Sequence, residues 1–195
     1  MSRAEATRLA ILQKAFELIY RNGFQTTSID TIIATMQVTK GAFFYHFKNK
    51  EEMGIALIQE LIKPAIEESF VKPLAKSIHP ADDIYMMMEH LLLANPAFQV
   101  EYGCPAVNLS SELATASDAL RTALIQVMRH CVRAISDSIR QGQALGHIKK
   151  EVVPEQVADF IMTGYSGIRN MGKLFGESCY HMYLRELKRY LSQLA

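Results

Sequence analysis

Apolar residues recur at helical spacing along almost the whole chain, and this constrains the fold more than any other feature. Leu9, Leu12, Phe16 and Ile19 line one face of a first helix, which Gly23 ends. Ser28 is an N-cap for a short second helix carrying Ile29, Ile32, Ile33 and Met36. Gln37-Val38 is a tight link, Thr39 a second N-cap, and Phe43 and Phe47 the inward i, i+4 pair of a third short helix. Asn49-Lys50-Glu51-Glu52 reads as a capping box opening a long fourth helix, which Pro64 and Pro73 bend or end.

Longer helices follow. One starts at His79-Pro80 and runs to Leu93, where Asn95-Pro96 breaks it. Gly103-Cys104-Pro105 opens another, with proline at the favoured first position. Leu120, Leu124, Met128, Cys131, Ile135 and Ile139 mark the next, until Gly142 and Gly146. Val157, Ile161, Tyr165 and Ile168 mark a penultimate helix, and Tyr183, Leu187, Leu191 and Leu194 the last. No segment alternates as a strand does. The expected architecture is all-α, about nine helices, with a seam near residues 47–52. Residues 1–50 form a small head and residues 51–195 a helical body.

Charge is divided along the same seam. Residues 1–50 hold seven basic side chains (Arg3, Arg8, Lys14, Arg21, Lys40, Lys48, Lys50) against three acids (Glu5, Glu17, Asp30). The remainder holds 14 basic residues against 17 acidic ones, within a chain of net charge +1. A basic head on a mildly acidic body suits an anionic partner for the head. Apolar runs such as Leu91-Leu92-Leu93-Ala94 fall far short of the roughly 20 residues that span a bilayer. The first residues lack the apolar region of a signal peptide. A cytoplasmic protein without membrane contact is expected. Cys104, Cys131 and Cys179 are odd in number and widely spaced, so free thiols are expected.

Two short helices joined by a tight turn form a helix-turn-helix, whose second helix enters the major groove by its N-terminal residues. Here that helix opens Thr39-Lys40-Gly41-Ala42, small and basic. Phe44, Tyr45 and His46 occupy its other faces, where rings can meet thymine methyls and polar tips can meet phosphates. Lys50, at the next helix start, reads as a phosphate clamp, and Thr27 and Ser28 stand at another helix start.

The stretch Val38-Thr39-Lys40-Gly41-Ala42-Phe43-Phe44-Tyr45-His46-Phe47-Lys48-Asn49-Lys50-Glu51-Glu52, with Gly23-Phe24-Gln25-Thr26-Thr27-Ser28-Ile29 before it, resembles the signature of the TetR family of transcriptional regulators. Gln37 stands where that turn often has glycine, and Phe44 where the pattern often has tyrosine, which removes a hydroxyl contact. The resemblance implies an N-terminal DNA-binding domain, a C-terminal effector domain and a homodimer through the last two helices. The expected partners are a palindromic double-stranded operator, a small-molecule effector and a second copy of the chain. The expected function is a repressor released by its effector; an activator is the variant reading.

The penultimate helix carries Gly164, Gly167 and Gly172, each costing about 1 kcal/mol relative to alanine. Close approach of a dimer partner is the expected reason, with Tyr183, Leu187, Tyr190 and Leu194 of the last helix beside them. Effector-lining candidates are Met86, Met88, His90, Phe98, Tyr102, Asn108, Glu112, Met128, Met162, Tyr165 and Met171. Cys104, just before Pro105, sits at a helix N-cap, where amides and dipole favour a reactive thiolate. Against this stands the preferred reading, a buried cysteine acting as a small hydrophobe. Helical spacing allows Asn108 and Glu112 to share its face. The segment Gly103-Cys104-Pro105-Ala106-Val107-Asn108-Leu109 is similar to one in a branch of TetR-like regulators, and Lys173 is a neighbour of Cys104 by that resemblance alone.

No Walker A loop, dinucleotide-binding glycine motif or His-Glu-x-x-His motif is present. His130-Cys131 and Cys179-Tyr180-His181 lack partners at zinc-finger spacing, so neither a metal nor a cofactor is expected. The alternative of another class is a helical ligand-binding or thiol-redox protein that does not read DNA sequence, a thiol-dependent enzyme being its least supported form.

Overall fold

A computed structural model describes residues 2–36 and 38–195, and all regular structure in them is helical. Gln37, the residue at the family's turn glycine, lies outside the described residues. Nine helical stretches follow one another. They are α1 (Arg3–Asn22), α2 (Ile29–Ala34), α3 (Lys40–His46), α4 (50–74), α5 (80–94), α6 (Pro105–Leu113), α7 (Asp118–Leu145), α8 (Pro154–Phe175) and α9 (Ser178–Ser192). The chain divides into two compact units, residues 1–64 with 105–125 and residues 65–104 with 126–195.

In the first unit Gly23, Ser28 and Thr39 end or cap helices where the sequence places them, and a further cap, not read from the sequence, opens α1. Ser2 and Glu5 form a reciprocal capping box at the start of α1. At its end Gly23 adopts φ 89° and donates its N–H to the Ile19 carbonyl, a conformation that favours glycine. Ser28 and Thr39 accept the N–H groups of Thr31 and Ala42. Ile11, Leu12, Ala15, Ile32, Phe43 and Phe47 are buried together, so α2 and α3 are held against α1 by one compact core. Burial of Phe43 and Phe47, about 1.5–3 kcal/mol each, anchors a helix too short to be stable alone.

The box expected at the start of α4 forms with one change. Asn49 accepts the Glu52 N–H at 2.8 Å, but the Glu52 carboxylate reaches past Asn49 to the Lys48 N–H, at 2.9 Å. Gly54 of α4 lies so close to Phe24 that a Cβ there would stand 2.8 Å from the ring. Close approach, not chain freedom, requires that glycine.

The prolines distort α4 without ending it. Pro64 and Pro73 do not end α4, which is helical from Lys50 to Leu74. Each proline is preceded by a π-turn, Ile58–Ile62 and Glu67–Val71. A proline ring collides with the carbonyl four residues back and cannot donate to it. The carbonyls concerned, of Glu60 and Ser69, lie inside the π-turns, where bonding to the fifth residue widens the helix. A third π-turn, His90–Ala94, precedes the break at Asn95-Pro96.

The second unit is built on α5, most of α7, α8 and α9. Ile135, Ile139, Ile161, Tyr180, Leu184, Leu187 and Leu191 lie in its core. The glycines of α8 correct an expectation. A Cβ on Gly164 would stand 2.7 Å from the Tyr183 hydroxyl, and one on Gly172 would stand 2.4 Å from that of Tyr180. Both glycines admit tyrosines of the same chain's α9, so intrachain packing explains them. Only Gly167 of the three is exposed, with open space before it. Leu187 and Leu194 are likewise buried within the chain, while Tyr183 and Tyr190 are partly exposed.

Candidate nucleic-acid interface and effector region

The outward face of α3 is open. Tyr45 is 78% exposed, its ring edge-on to His46 at 4.9 Å, and Phe44 stands edge-on to the buried Phe43 at 5.4 Å. Thr39, Lys40 and Gly41 are exposed, Ala42 and His46 half-buried. A Cβ at Gly41 would meet only the Thr39 hydroxyl, at 3.9 Å, so nothing in the chain crowds the helix start. Lys40 forms a 2.8 Å surface pair with Asp30 of α2. Such a pair is weak in water and is readily exchanged for a phosphate or a base edge. Asp30 is a residue the sequence argument missed; its only signal is that it is the one acid in α2.

Two expected contacts are corrected. Thr27 is buried and its hydroxyl donates to the Gly23 carbonyl at 2.7 Å, so it caps the turn after α1. Lys50 turns inward. Its ammonium donates to the carbonyls of Phe24 and Gln25 and lies 4.5 Å from the centre of the Phe24 ring. Burial lowers its pKa, and the Glu112 carboxylate partly offsets this. Lys50 therefore ties α4 to the loop after α1. Ser28 is exposed, its hydroxyl accepting the Thr31 N–H at 2.9 Å.

Asn108 and Glu112, both on α6, belong to the first unit. They border a narrow apolar crevice with Phe16, Tyr20 and Leu57, whose free space of about 10 Å³ suits at most one water. The Glu112 carboxylate accepts the Gln25 N–H at 3.0 Å. Cys104 belongs to the second unit, so the helical face expected to unite the three does not place them in one unit.

Cys104 is 4% exposed, the burial of a small hydrophobe rather than the exposure a reactive thiolate needs. Its thiol lies beside the Tyr165 hydroxyl, whose pKa is pushed well above the usual phenol value by burial first and by Cys104 next. Burial also pushes the Cys131 thiol up to about 12, which disfavours its thiolate. All three cysteines are free. The Lys173 side chain runs along Gly103, the residue before Cys104, which has φ 71°. Met88 and Met162 are buried, Phe98, Tyr102 and Met128 half-buried, and Met86, His90 and Met171 exposed. His130 is bound to Glu67 at 2.6 Å.

Two features escaped the sequence reading. Phe160, Gly167, Met171 and Leu174 form an exposed stripe along α8, extended by Phe175 and by Met182 of α9, with Leu174 77% exposed. Their spacing of seven, four and three residues was the available signal. The other is Arg169, a fully buried arginine one turn beyond Tyr165.

Residues 11–57 match the family described as bacterial regulatory proteins, tetR family, and residues 80–186 match the tetracyclin repressor-like C-terminal domain. The chain is 26% identical over 167 residues to the HTH-type transcriptional repressor DhaR of Mycobacterium sp. (strain GP1), covering 82% of this chain and 79% of that protein. It is 26% identical over 178 residues to the transcriptional regulator AcuR of Cereibacter sphaeroides, covering 88% and 78%. Among solved structures, a TetR transcriptional regulator from Chloroflexus aurantiacus superposes with a TM-score of 0.89 at 24% identity over 100% of both chains. The reduced form of NemR from E. coli does so at 0.81 and 21%, over 96% of each. Both show the same fold.

Proposed function

The chain belongs to the TetR family of transcriptional regulators, and from that premise we propose that it is a homodimeric repressor whose exposed α3 reads each half of a palindromic operator. The observation that carries this is the open outer face of α3: Tyr45 and Phe44 stand in solvent on a helix fixed from behind by Phe43 and Phe47. Exposed rings on a rigid short helix are costly to leave in water and suited to base edges. Lys40, Thr39, Gly41, Ala42, His46 and Ser28 complete the contact surface.

One recognition helix reads too few base pairs for specificity, whereas a dimer reads two half-sites spaced by a helical turn or a multiple of it. The stripe of Phe160, Gly167, Met171 and Leu174 supports α8 as the dimer surface, with Tyr183 and Tyr190 at its margin. Functionally, residues 1–50 read DNA and residues 51–195 bind effector and dimerise. The protein acts in the cytoplasm, and no described helix is long and apolar enough to cross a membrane.

The effector acts by linkage. It lowers operator affinity only by binding more tightly to the conformation that does not fit DNA. The buried neighbourhood of Cys104, Tyr165 and Met162 supports an effector site in the second unit, in the branch that carries the Gly-Cys-Pro-x-x-Asn-Leu segment. A thiol switch at Cys104 requires an opening that exposes it.

Selection of genomic fragments by the purified, reduced protein, at near-physiological salt with competitor DNA, tests this reading. A palindromic site is expected, with affinity falling steeply as salt rises. Folded, dimeric protein that enriches no site would instead favour a helical binding protein without sequence reading.

A further inference from the structure

Arg169 is the largest fully buried side chain among the described residues, with 0% of its surface exposed. Nη2 donates to the Leu91 carbonyl and Nε to the Tyr165 hydroxyl at 3.3 Å, while Nη1 has no hydrogen-bond partner. Among the described residues no carboxylate forms an ion pair with it. The rings of Phe98, Tyr165 and Tyr180 surround the guanidinium at 5.1, 5.4 and 5.5 Å. Ring faces attract a cation but do not neutralise it. The Tyr180 hydroxyl is also buried with no hydrogen bond of good geometry, and lies close enough to the guanidinium to help hold it charged. A buried cation without a counter-ion, beside a second donor without a well-aligned partner, is a strongly unfavourable arrangement that natural cores avoid.

We infer that Arg169 is the recognition point for a small organic monocarboxylate, received by its free Nη1–H and by the Tyr180 hydroxyl. Two donors match the two oxygens of a carboxylate, and a planar guanidinium suits that geometry. One buried positive charge calls for one negative charge, which disfavours phosphate and sulfate dianions. The aromatic surroundings favour an apolar tail. Tyr165 and Tyr180 come from helices, whereas Phe98 comes from the loop 95–104, in which Pro96, Ala97, Gln99 and Glu101 are exposed. Displacing Phe98 with that loop opens a path to the guanidinium. This deepens the effector reading above and rests on it for the link to DNA.

Calorimetric titration of the reduced, full-length protein with sodium acetate, butyrate and benzoate tests the site. Acetamide, butyramide and benzamide are the neutral counterparts, and sodium chloride at matched ionic strength is the control. At least one acid is expected to bind saturably, one per chain and at least tenfold more tightly than its amide, with no comparable binding of chloride. Arg169→Met abolishes this binding. Where that variant fails to fold, Tyr180→Phe, which removes only the hydroxyl, weakens it about tenfold, as expected for a hydrogen bond to a charged group. Acids that bind no better than their amides, or no saturable binding by any acid, overturn the proposal and leave Arg169 as a structural pin. Operator binding is measured on the same samples. Carboxylate binding without any operator binding keeps the anion site and removes the regulator reading; operator binding without carboxylate binding does the reverse.

Discussion

The Glu112 carboxylate accepts the backbone N–H of Gln25 at 3.0 Å, across 87 positions of sequence, and so ties α6 to the loop between α1 and α2. The same loop receives the Lys50 ammonium on the carbonyls of Phe24 and Gln25. The loop that precedes the DNA-reading pair of helices is thus held on both its donor and its acceptor side.

Glu112→Ala leaves the Gln25 N–H without its partner and removes the acid that offsets the cost of burying Lys50. A loss of about 1–3 kcal/mol is expected, read as a lower urea midpoint at unchanged slope. Glu112→Gln, which can still accept from Gln25, should lose less.

Lys50→Ala separates a tie from a phosphate clamp. Because the ammonium is spent on Phe24 and Gln25, the variant should be less stable while the slope of operator affinity against salt stays unchanged. A slope shallower by about one unit would return Lys50 to the phosphate backbone.

Tyr45→Ala should do the opposite. The side chain is 78% exposed, so stability should move by less than about 0.5 kcal/mol. Operator affinity should fall at least tenfold in a gel-shift or anisotropy titration. Lys40→Ala should change the ranking of operator variants, because in the proposed reading Lys40 leaves its pair with Asp30 for DNA.

Leu174→Glu places a charge in the exposed stripe of α8. Sedimentation should show monomer where the native chain shows dimer, and operator affinity should fall with it. Far-ultraviolet circular dichroism should be unchanged, because Leu174 is exposed in the single chain.

Burial raises the Tyr183 phenol from 10.0 to about 12. The folded state holds that proton more tightly than the unfolded state. Its contribution is therefore complete below pH 10 and lost as pH rises from about 10 to 12. The shift corresponds to roughly 2–3 kcal/mol. Tyr183→Phe should flatten the fall in stability across that window, followed by chemical denaturation at each pH.

Local order was legible in the sequence. The helices, the Ser28, Thr39 and Asn49 caps, the Gly23 stop and the inward pair Phe43 and Phe47 depend on neighbours within a turn, where side-chain type decides the outcome. The exposed outer face of α3 follows from the same periodicity. What tertiary structure decided is where long or small side chains end up once distant helices meet. Lys50 lies at a helix start fit for a phosphate, yet it reaches carbonyls 25 and 26 residues back. Thr27 has a free hydroxyl on paper, yet burial turns it to Gly23. Gly164 and Gly172 mark a close approach in either reading, and only packing shows that the approaching groups are Tyr183 and Tyr180 of the same chain. Arg169 follows the helical period of its apolar neighbours, so the period places it on their inward face. Only the assembled core shows that this face holds a cation with no acid paired to it among the described residues, because charge neutralisation depends on distance in space and a repeat along one helix carries no such distance.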